Sequence, residues 1–365
     1  MGKPLTQIKI KGYKSIRDMS LDLGSLNILI GANGAGKSNF ISVFTLVRYI
    51  VEKRLQLFVS EAGGANNLLY FGRKISAEIE LDFVFEKNGY NCQLIPSTED
   101  ELLFGDETCL FYNPKYSKPY TQSLGSGHKE TALYQKSGES PQSKNIADYI
   151  LEAMKSWWVY HFHDTSKDAK MKQPGDLHEN RFLKPDAGNL AAYLYFLQQT
   201  KPYYYGRIVE TIQLVAPFFD DFDLHPHDSN TAIRLRWKEK ESLDSFPVAH
   251  LSDGTLRFIC LATLLLQPEP PTTLVIDEPE LGLHPYAITL LASLLRQASH
   301  HTQIIVSTQS VSLVNQFKPE NIIVVNRQDK QSTFSRCNES ELEHWLEDYS
   351  MGELWERNII GGRPA

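Results

Sequence analysis

Eight consecutive residues, Gly31-Ala32-Asn33-Gly34-Ala35-Gly36-Lys37-Ser38, fit the spacing G-x-x-x-x-G-K-[ST]. They stand between a short apolar run, Leu26 to Ile30, and an apolar-periodic stretch that starts with Asn39-Phe40-Ile41. That context, strand then loop then helix, is what gives the spacing chemical meaning. Three glycines let the backbone of residues 31 to 39 wrap closely, so that its N–H groups face a polyphosphate. The start of the helix adds a partial positive charge. Lys37 is long enough to reach β- and γ-phosphates, and the Ser38 hydroxyl suits Mg2+.

A second chemical stretch lies 240 residues beyond Lys37, in Thr272-Thr-Leu-Val-Ile-Asp-Glu-Pro-Glu280. Leu274 to Ile276 are expected to form a buried strand that delivers Asp277 and Glu278 at its carboxyl end. There Asp277 holds Mg2+ through water, and Glu278 polarises an attacking water as general base. A helix is expected from Pro285, then an apolar strand ending at Ser307-Thr308-Gln309. Gln309 either stands near the γ-phosphate or belongs to a capping turn at Ser310. The third stretch is His250-Leu-Ser-Asp-Gly-Thr-Leu-Arg257 and the apolar run after it. Alone it reads as a core helix capped by Ser252, with Gly254 easing its entry.

These residues need a large scaffold, and 365 residues supply one. Hydrophobic content of 42% and charged content of 22% are those of a globular chain. No apolar run reaches the roughly 18–20 residues of a membrane span, and the start lacks a signal-peptide core, so a cytoplasmic protein is expected. Cys92, Cys109, Cys260 and Cys337 form no C-x-x-C pair, which argues against a zinc site or a disulfide framework. The net charge of −7 is uneven: residues 1–60 carry nine Lys/Arg and three Asp/Glu. A wholly basic nucleic-acid binder is excluded, while a local basic surface around Lys11, Lys14 and Arg17 is not.

Alternation over Ile75 to Asp82 and just beyond predicts a strand continuing the sheet of the phosphate loop. The polar run Asn113 to Lys144 is expected to be a mobile loop. Helical patterns follow near Ile146–Lys155, Asn189–Gln198 and Tyr203–Val215, with a further strand over Asn321–Asn326. No heptad is sustained, so a long coiled coil is not expected. The pairs His161/His163 with Asp164, and His225/His227 with Asp228, suit structural or polar-network roles better than a metal site. Trp157-Trp158 and Tyr203 to Tyr205 suit core packing better than base stacking.

Taken in order, GANGAGKS, LSDG, LVIDEPE and STQS resemble the ABC-type ATPase heads of the SMC and RecF class. The opening "IKIKGYKSIRDMSLDLGSLNILIGANGAGKSN" is similar to the hairpin and "FKS" element of those heads. More closely, the chain resembles stand-alone bacterial AAA-type ATPases of the RecF/OLD-like group. The stretches "GGANNLLYFGRK", "VYHFHDTS", "NLAAYLYFL", "DEPELGLHP" and "YSMGELWERNIIGG" carry that likeness over nearly the whole chain. It implies an α/β P-loop NTPase head of ABC/SMC type, with a mixed β-sheet flanked by helices and an inserted, mainly helical lobe. The expected division is 1–112 and 246–365 for the two halves of the head and 113–245 for the lobe.

The resemblance further implies ATP and Mg2+ as ligands and a homodimer closed around two nucleotides. Ser252, Asp253, Gly254 and Arg257 then serve the γ-phosphate held by the other subunit, with Arg257 adding charge or tying its helix in place. Three departures stand out. Gln309 occupies the switch-histidine position, Asp253 brings a negative charge into the signature, and no glutamine stands out in Ala62 to Gly72 or the strand after it, where the Q-loop equivalent is expected. The expected output is a conformational switch, either gating a separate nuclease or toxin effector in phage defence or acting on DNA in RecF-like repair. A non-hydrolysing nucleotide sensor and a transporter ATPase subunit are the remaining classes; the long gap between phosphate loop and signature argues against the transporter. The 39 residues after Asn326 are expected to be too few for the Toprim nuclease domain that follows the head in OLD proteins.

Overall fold

A computed structural model describes residues 3–116, 118–138, 145–226 and 231–363. The chain opens with an antiparallel hairpin, β1 (Gln7–Tyr13) and β2 (Ile16–Asp22), and then β3 (Leu26–Ile30) leads into α1 (Lys37–Val51). Short helices α2 (Leu55–Glu61) and α3 (Ala65–Leu68) precede four strands, β4 (Ile79–Phe85), β5 (Asn88–Pro96), β6 (Leu102–Phe111) and β7 (Tyr120–Gly125). Next come α4 (Leu133–Lys136), α5 (Ile146–Lys155), β8 (Trp157–Tyr160), β9 (Gly175–Asp176), α6 (Leu190–Thr200) and α7 (Pro202–Val215). Small strands β10 (Phe219–Phe222), β11 (Ala232–Ile233), β12 (Arg236–Glu239) and β13 (Ser245–Pro247) precede α8 (Asp253–Leu266). The chain ends with β14 (Thr273–Asp277), α9 (Pro285–Ala298), β15 (Gln303–Thr308), α10 (Val311–Val314), β16 (Ile322–Gln328), β17 (Gln331–Arg336), α11 (Glu339–Leu346) and α12 (Met351–Glu356).

Two six-stranded sheets organise these elements. The order β17-β16-β3-β15-β14-β8 is parallel from β16 to β8, and β17 returns antiparallel. Its central strands are buried on both faces, which is why Leu26–Ile30 and Gln303–Thr308 read as near-continuous apolar runs. One face, with Ile304 and Val306, packs in the core shared with α6 to α9. The other, with Val275, Ile305 and Ile323, packs against α1 and the second sheet. At that junction the buried Trp157 ring meets Phe44, Phe83 and Phe85 at 5.3–5.5 Å between centroids.

The second sheet, β2-β1-β4-β5-β6-β7, is antiparallel throughout. It corrects two expectations. The strand foreseen over residues 75–82 begins at Ile79 and joins this sheet, not the sheet of the phosphate loop. Its alternation, with Ile79, Leu81, Phe83 and Phe85 buried and their neighbours half-buried, is that of a sheet with one core face. The stretch expected as a mobile loop, 113–144, contains β7 and α4 among its described residues; 117 and 139–144 lie outside them. Among the described residues β7 pairs with β6 alone, and it alternates between exposed and half-buried residues, so no apolar rhythm announces it.

Elsewhere the helical patterns materialise as α5, α6 and α7. None of the described helices exceeds 15 residues, and none is long and apolar enough to cross a membrane. All four cysteines are free. Trp158 has its ring face covered by the Arg48 guanidinium at 3.5 Å, so that face cannot stack on a base.

Candidate nucleotide site

Burial forces β3 to run straight out of the core, and the glycine-rich loop then turns the chain into α1. The loop is clamped from outside. The Ser332 hydroxyl, on β17, donates to Ala35 O at 2.6 Å and is linked to Ser15 Oγ at 2.7 Å. The Asn39 side-chain amide donates to Ser15 Oγ at 2.7 Å, so this side chain secures the β1–β2 turn. Gly36 has φ +121°, and a Cβ there would collide with the Ser332 side chain. No side chain caps α1, so its first-turn N–H groups are available to an anion.

The Lys37 ammonium folds back to donate to Gly31 O at 2.5 Å and Ala32 O at 3.2 Å. Burial lowers its pKa, while the charges of Glu278, Asp277 and Glu280 pull it up. The loop cation and the three carboxylates therefore share one electrostatic neighbourhood, although 240 residues separate Lys37 from Asp277.

The parallel register sets Asp277 opposite Ser307. The Ser307 hydroxyl donates to Asp277 Oδ1. Glu278 follows with φ +42°, a left-handed conformation that is rare and costly for a side chain of this size. Its N–H donates to Ser307 O at 2.9 Å, and its carboxylate accepts from the Gln309 side-chain amide. Glu280 is buried, which raises its pKa; Oε1 accepts from Thr308 Oγ1 at 2.5 Å and from Gln309 N at 3.2 Å, and Oε2 has no hydrogen-bond partner among the described residues. The capping turn exists as well, since Ser310 caps α10 through Leu313 N. Asp277 Oδ2 and the exposed Ser38 hydroxyl are hard oxygen donors of the kind Mg2+ takes, so these residues fit that ion.

Two further residues belong here that the sequence reading had set among structural roles. β8 runs parallel to β14 with Tyr160 opposite Ile276, so the residues after β8 emerge beside Asp277. His163 Nε2–H donates to the Asp277 carbonyl at 2.8 Å, and His161 Nδ1 stands 3.8 Å from Asp277 Oδ2. The available signal was positional: β8, like β14 and β15, is a short apolar run whose carboxyl end turns polar. The described residues hold no cluster of three or more His, Cys, Asp or Glu that could by itself bind a metal. His225 pairs with Asp223 at 3.0 Å, while His227 and Asp228 lie outside the described residues.

The remaining motif stands apart. Ser252 caps α8 by accepting from Thr255 N at 3.1 Å, and both Ser252 and Asp253 are exposed. Among the described residues no hydrogen bond or ion pair joins Ser252, Asp253 or Gly254 to residues 31–39. The charge of Asp253 is met by Lys172 at 3.2 Å. Arg257 faces inward, donating to Phe162 O, His163 O and Leu281 O at 2.8–3.1 Å. It ties its helix to the segments that follow β8 and β14. Two of the lysines proposed for a basic surface are engaged: Lys11 pairs with Glu80 at 3.5 Å and Lys14 donates to Ser42 Oγ at 3.0 Å.

Residues 26–315 match the family described as "AAA domain, putative AbiEii toxin, Type IV TA system". No curated protein matches the chain. Among solved structures, the Smc head bound to the C-winged helix domain of ScpA is similar with a TM-score of 0.63 at 14% identity, over 93% of this chain and 99% of that one. The Pyrococcus furiosus Smc head with an extended coiled coil, bound to the C-terminal domain of ScpA, gives 0.60 at 13%, over 94% and 98%. The Pyrococcus yayanosii Smc head with a coiled coil and joint gives 0.55 at 12%, over 94% and 99%. At these identities the likeness is one of fold: an α/β P-loop head of the SMC type.

Proposed function

This chain belongs to that AAA-domain family, and from that premise we propose that it binds and hydrolyses ATP and dimerises around two nucleotides as a conformational switch. The observation that carries this reading is the strand register: β15 pairs in parallel with both β3 and β14, so the Lys37 loop after β3 and Asp277, Glu278 and Glu280 after β14 flank it at the carboxyl end of the sheet. The backbone N–H groups at the start of α1 and the Lys37 ammonium bind the phosphates, with Lys37 leaving its loop carbonyls to do so. Glu278, held by its left-handed backbone and by Gln309, takes the proton of the attacking water. Gln309 replaces an imidazole with a neutral amide, so it positions the base without exchanging a proton. Mg2+, held between Ser38 and Asp277, would neutralise charge on the phosphates.

The dimer rests on α8. Its exposed N-terminus carries Ser252 and has no bond to the chain's own phosphate loop, as suits a surface that completes a neighbour's site. Of the two biological roles, gating of a separate effector is favoured over direct action on DNA. Lys11 is paired with Glu80, Lys14 is half-buried, which lowers its pKa, and the family description names a toxin–antitoxin system. Phosphate release with ATP and Mg2+, compared between the natural chain and Glu278→Gln, tests the reading. Equal rates, or no turnover by either protein, reject it.

A further inference from the structure

A cavity of about 840 Å3 lies at the other end of the parallel sheet, lined in part by Leu23, Gly24 and Ser25 before β3, Thr272 before β14 and Gln303 at the start of β15. The nucleotide residues stand at the carboxyl ends of the same strands, on the order of 15–20 Å away. The rest of the wall comes from α7 and from the last turns of α8 and α9. Part of it is braced from within. The buried Gln303 amide donates to Leu5 O at 2.7 Å and Gly24 O at 2.9 Å, and its Oε1 accepts from Leu5 N and Thr273 Oγ1, both at 3.1 Å. A preformed cleft of this size suits a ligand of many atoms, since such sites run to roughly 300–1,000 Å3.

Its chemistry is one-sided. The lining residues include no Asp or Glu, while Arg207, His300 and His301 are among them. The Arg207 guanidinium makes one hydrogen bond among the described residues, to Gln297 Oε1 at 3.3 Å, and no carboxylate there pairs with it. Tyr203, one helical turn earlier, shares its face of α7, with the guanidinium 6.0 Å from the ring centroid. Of the tyrosine run expected to pack in the core, Tyr205 does so, but Tyr203 is 69% exposed and lines this cavity.

We propose that this cavity binds a small anion carried on an aromatic frame, with Arg207 taking the anionic group and Tyr203 stacking on the frame. A guanidinium with unused N–H groups takes a carboxylate, sulfonate or phosphate through paired hydrogen bonds, and it is more weakly hydrated than an ammonium. Leu23, Leu265, Leu266, Pro268 and Pro270 make much of the remaining wall apolar, so a bare hydrated ion leaves most of the cavity unfilled. A cationic ligand finds no countercharge on the wall. The site is separate from the phosphate loop and stands or falls independently of the nucleotide reading.

Fluorescence titration of the full chain with 8-anilinonaphthalene-1-sulfonate and with N-phenyl-1-naphthylamine, the same frame without the sulfonate, isolates the charge. The natural chain should bind the sulfonate probe about tenfold more tightly than the neutral one, the scale of one charge-assisted hydrogen-bonded pair. Arg207→Met, which keeps apolar bulk and removes the charge, should cancel that preference by weakening the sulfonate probe alone. Arg207→Lys should keep part of it. A natural chain that binds both probes equally, or neither, overturns the proposal whether or not the variants fold. A preference that persists in Arg207→Met places the anion elsewhere and overturns it. Equal loss of both probes in Arg207→Met makes Arg207 a brace for the wall through Gln297, which overturns its part in recognition.

Discussion

The side-chain amide of Gln309, at the end of β15, donates to the carboxylate of Glu278, at the end of β14. The two strands are neighbours in register, so the contact needs no loop to bridge it. Glu280 completes the arrangement from beneath by accepting from the Gln309 N–H and the Thr308 hydroxyl. If Glu278 is the general base, its bond to Gln309 limits how far the carboxylate can turn away from its water. Glu278→Gln should therefore keep ATP bound while hydrolysis falls by roughly 10² to 10⁴. Gln309→Ala, which loosens the base without removing it, should cost less, up to about 10². Calorimetry for binding and phosphate release for turnover separate the two quantities. A Glu278→Gln protein that turns over normally places the base elsewhere.

Lys37→Ala should abolish tight ATP binding. Its ammonium donates to the Gly31 and Ala32 carbonyls of the glycine-rich loop, and its positive charge offsets three nearby carboxylates that would otherwise repel the phosphates. Ser38→Ala should weaken binding more with Mg2+ than without it, because only the hydroxyl is lost. Calorimetric affinity unchanged in Lys37→Ala would mean that this loop does not hold the nucleotide.

Gly254 tests whether the signature turn also has a role inside its own chain. A Cβ at this position would run into the carbonyl of Gly282, a backbone atom that cannot swing aside. Gly254→Ala should lower stability by about 1–3 kcal/mol in urea unfolding, before any question of phosphate arises. Unchanged stability would show that this glycine answers only to a ligand.

The parts of this fold legible in the sequence were those fixed by local pattern. Leu26–Ile30 is apolar on both faces and became the central strand β3; Pro285 marks the first turn of α9, and Ser252 caps α8. What escaped notice depends on strands far apart in the chain. His161 meets Asp277 only because β8 lies beside β14, and Asp253 meets Lys172 across 81 positions. The assignment of β4 to its sheet was open to inference, since strict alternation marks a one-faced sheet, but proximity to the phosphate loop in sequence suggested otherwise.

Direct DNA contact carries its own prediction. Under the effector-gating reading, duplex DNA should not be retarded at low salt, with or without ATP, since Lys11 is paired with Glu80 and Lys14 is half-buried. Retardation that weakens steeply with salt and is lost in Arg17→Ala would point to a phosphate-tracking surface instead.

The composite site is tested most directly by the pair Ser252 and Lys37. Ser252 is exposed at the head of α8 and, among the described residues, its side chain bonds within its own turn, so a large side chain there leaves the chain's own phosphate loop untouched. Ser252→Arg should bind ATP normally yet fail to hydrolyse it, because the neighbour's γ-phosphate can no longer dock on the helix start. Glu278→Gln, which retains ATP, should accumulate as a dimer by light scattering when ATP and Mg2+ are added. Mixing Ser252→Arg with Lys37→Ala pairs one sound phosphate loop with one sound signature. Turnover should return in the mixture, at no more than about half the natural rate if one site of two operates. Normal hydrolysis by Ser252→Arg alone, or a Glu278→Gln protein whose mass ignores ATP, would leave Leu-Ser-Asp-Gly as the capped start of a core helix and nothing more.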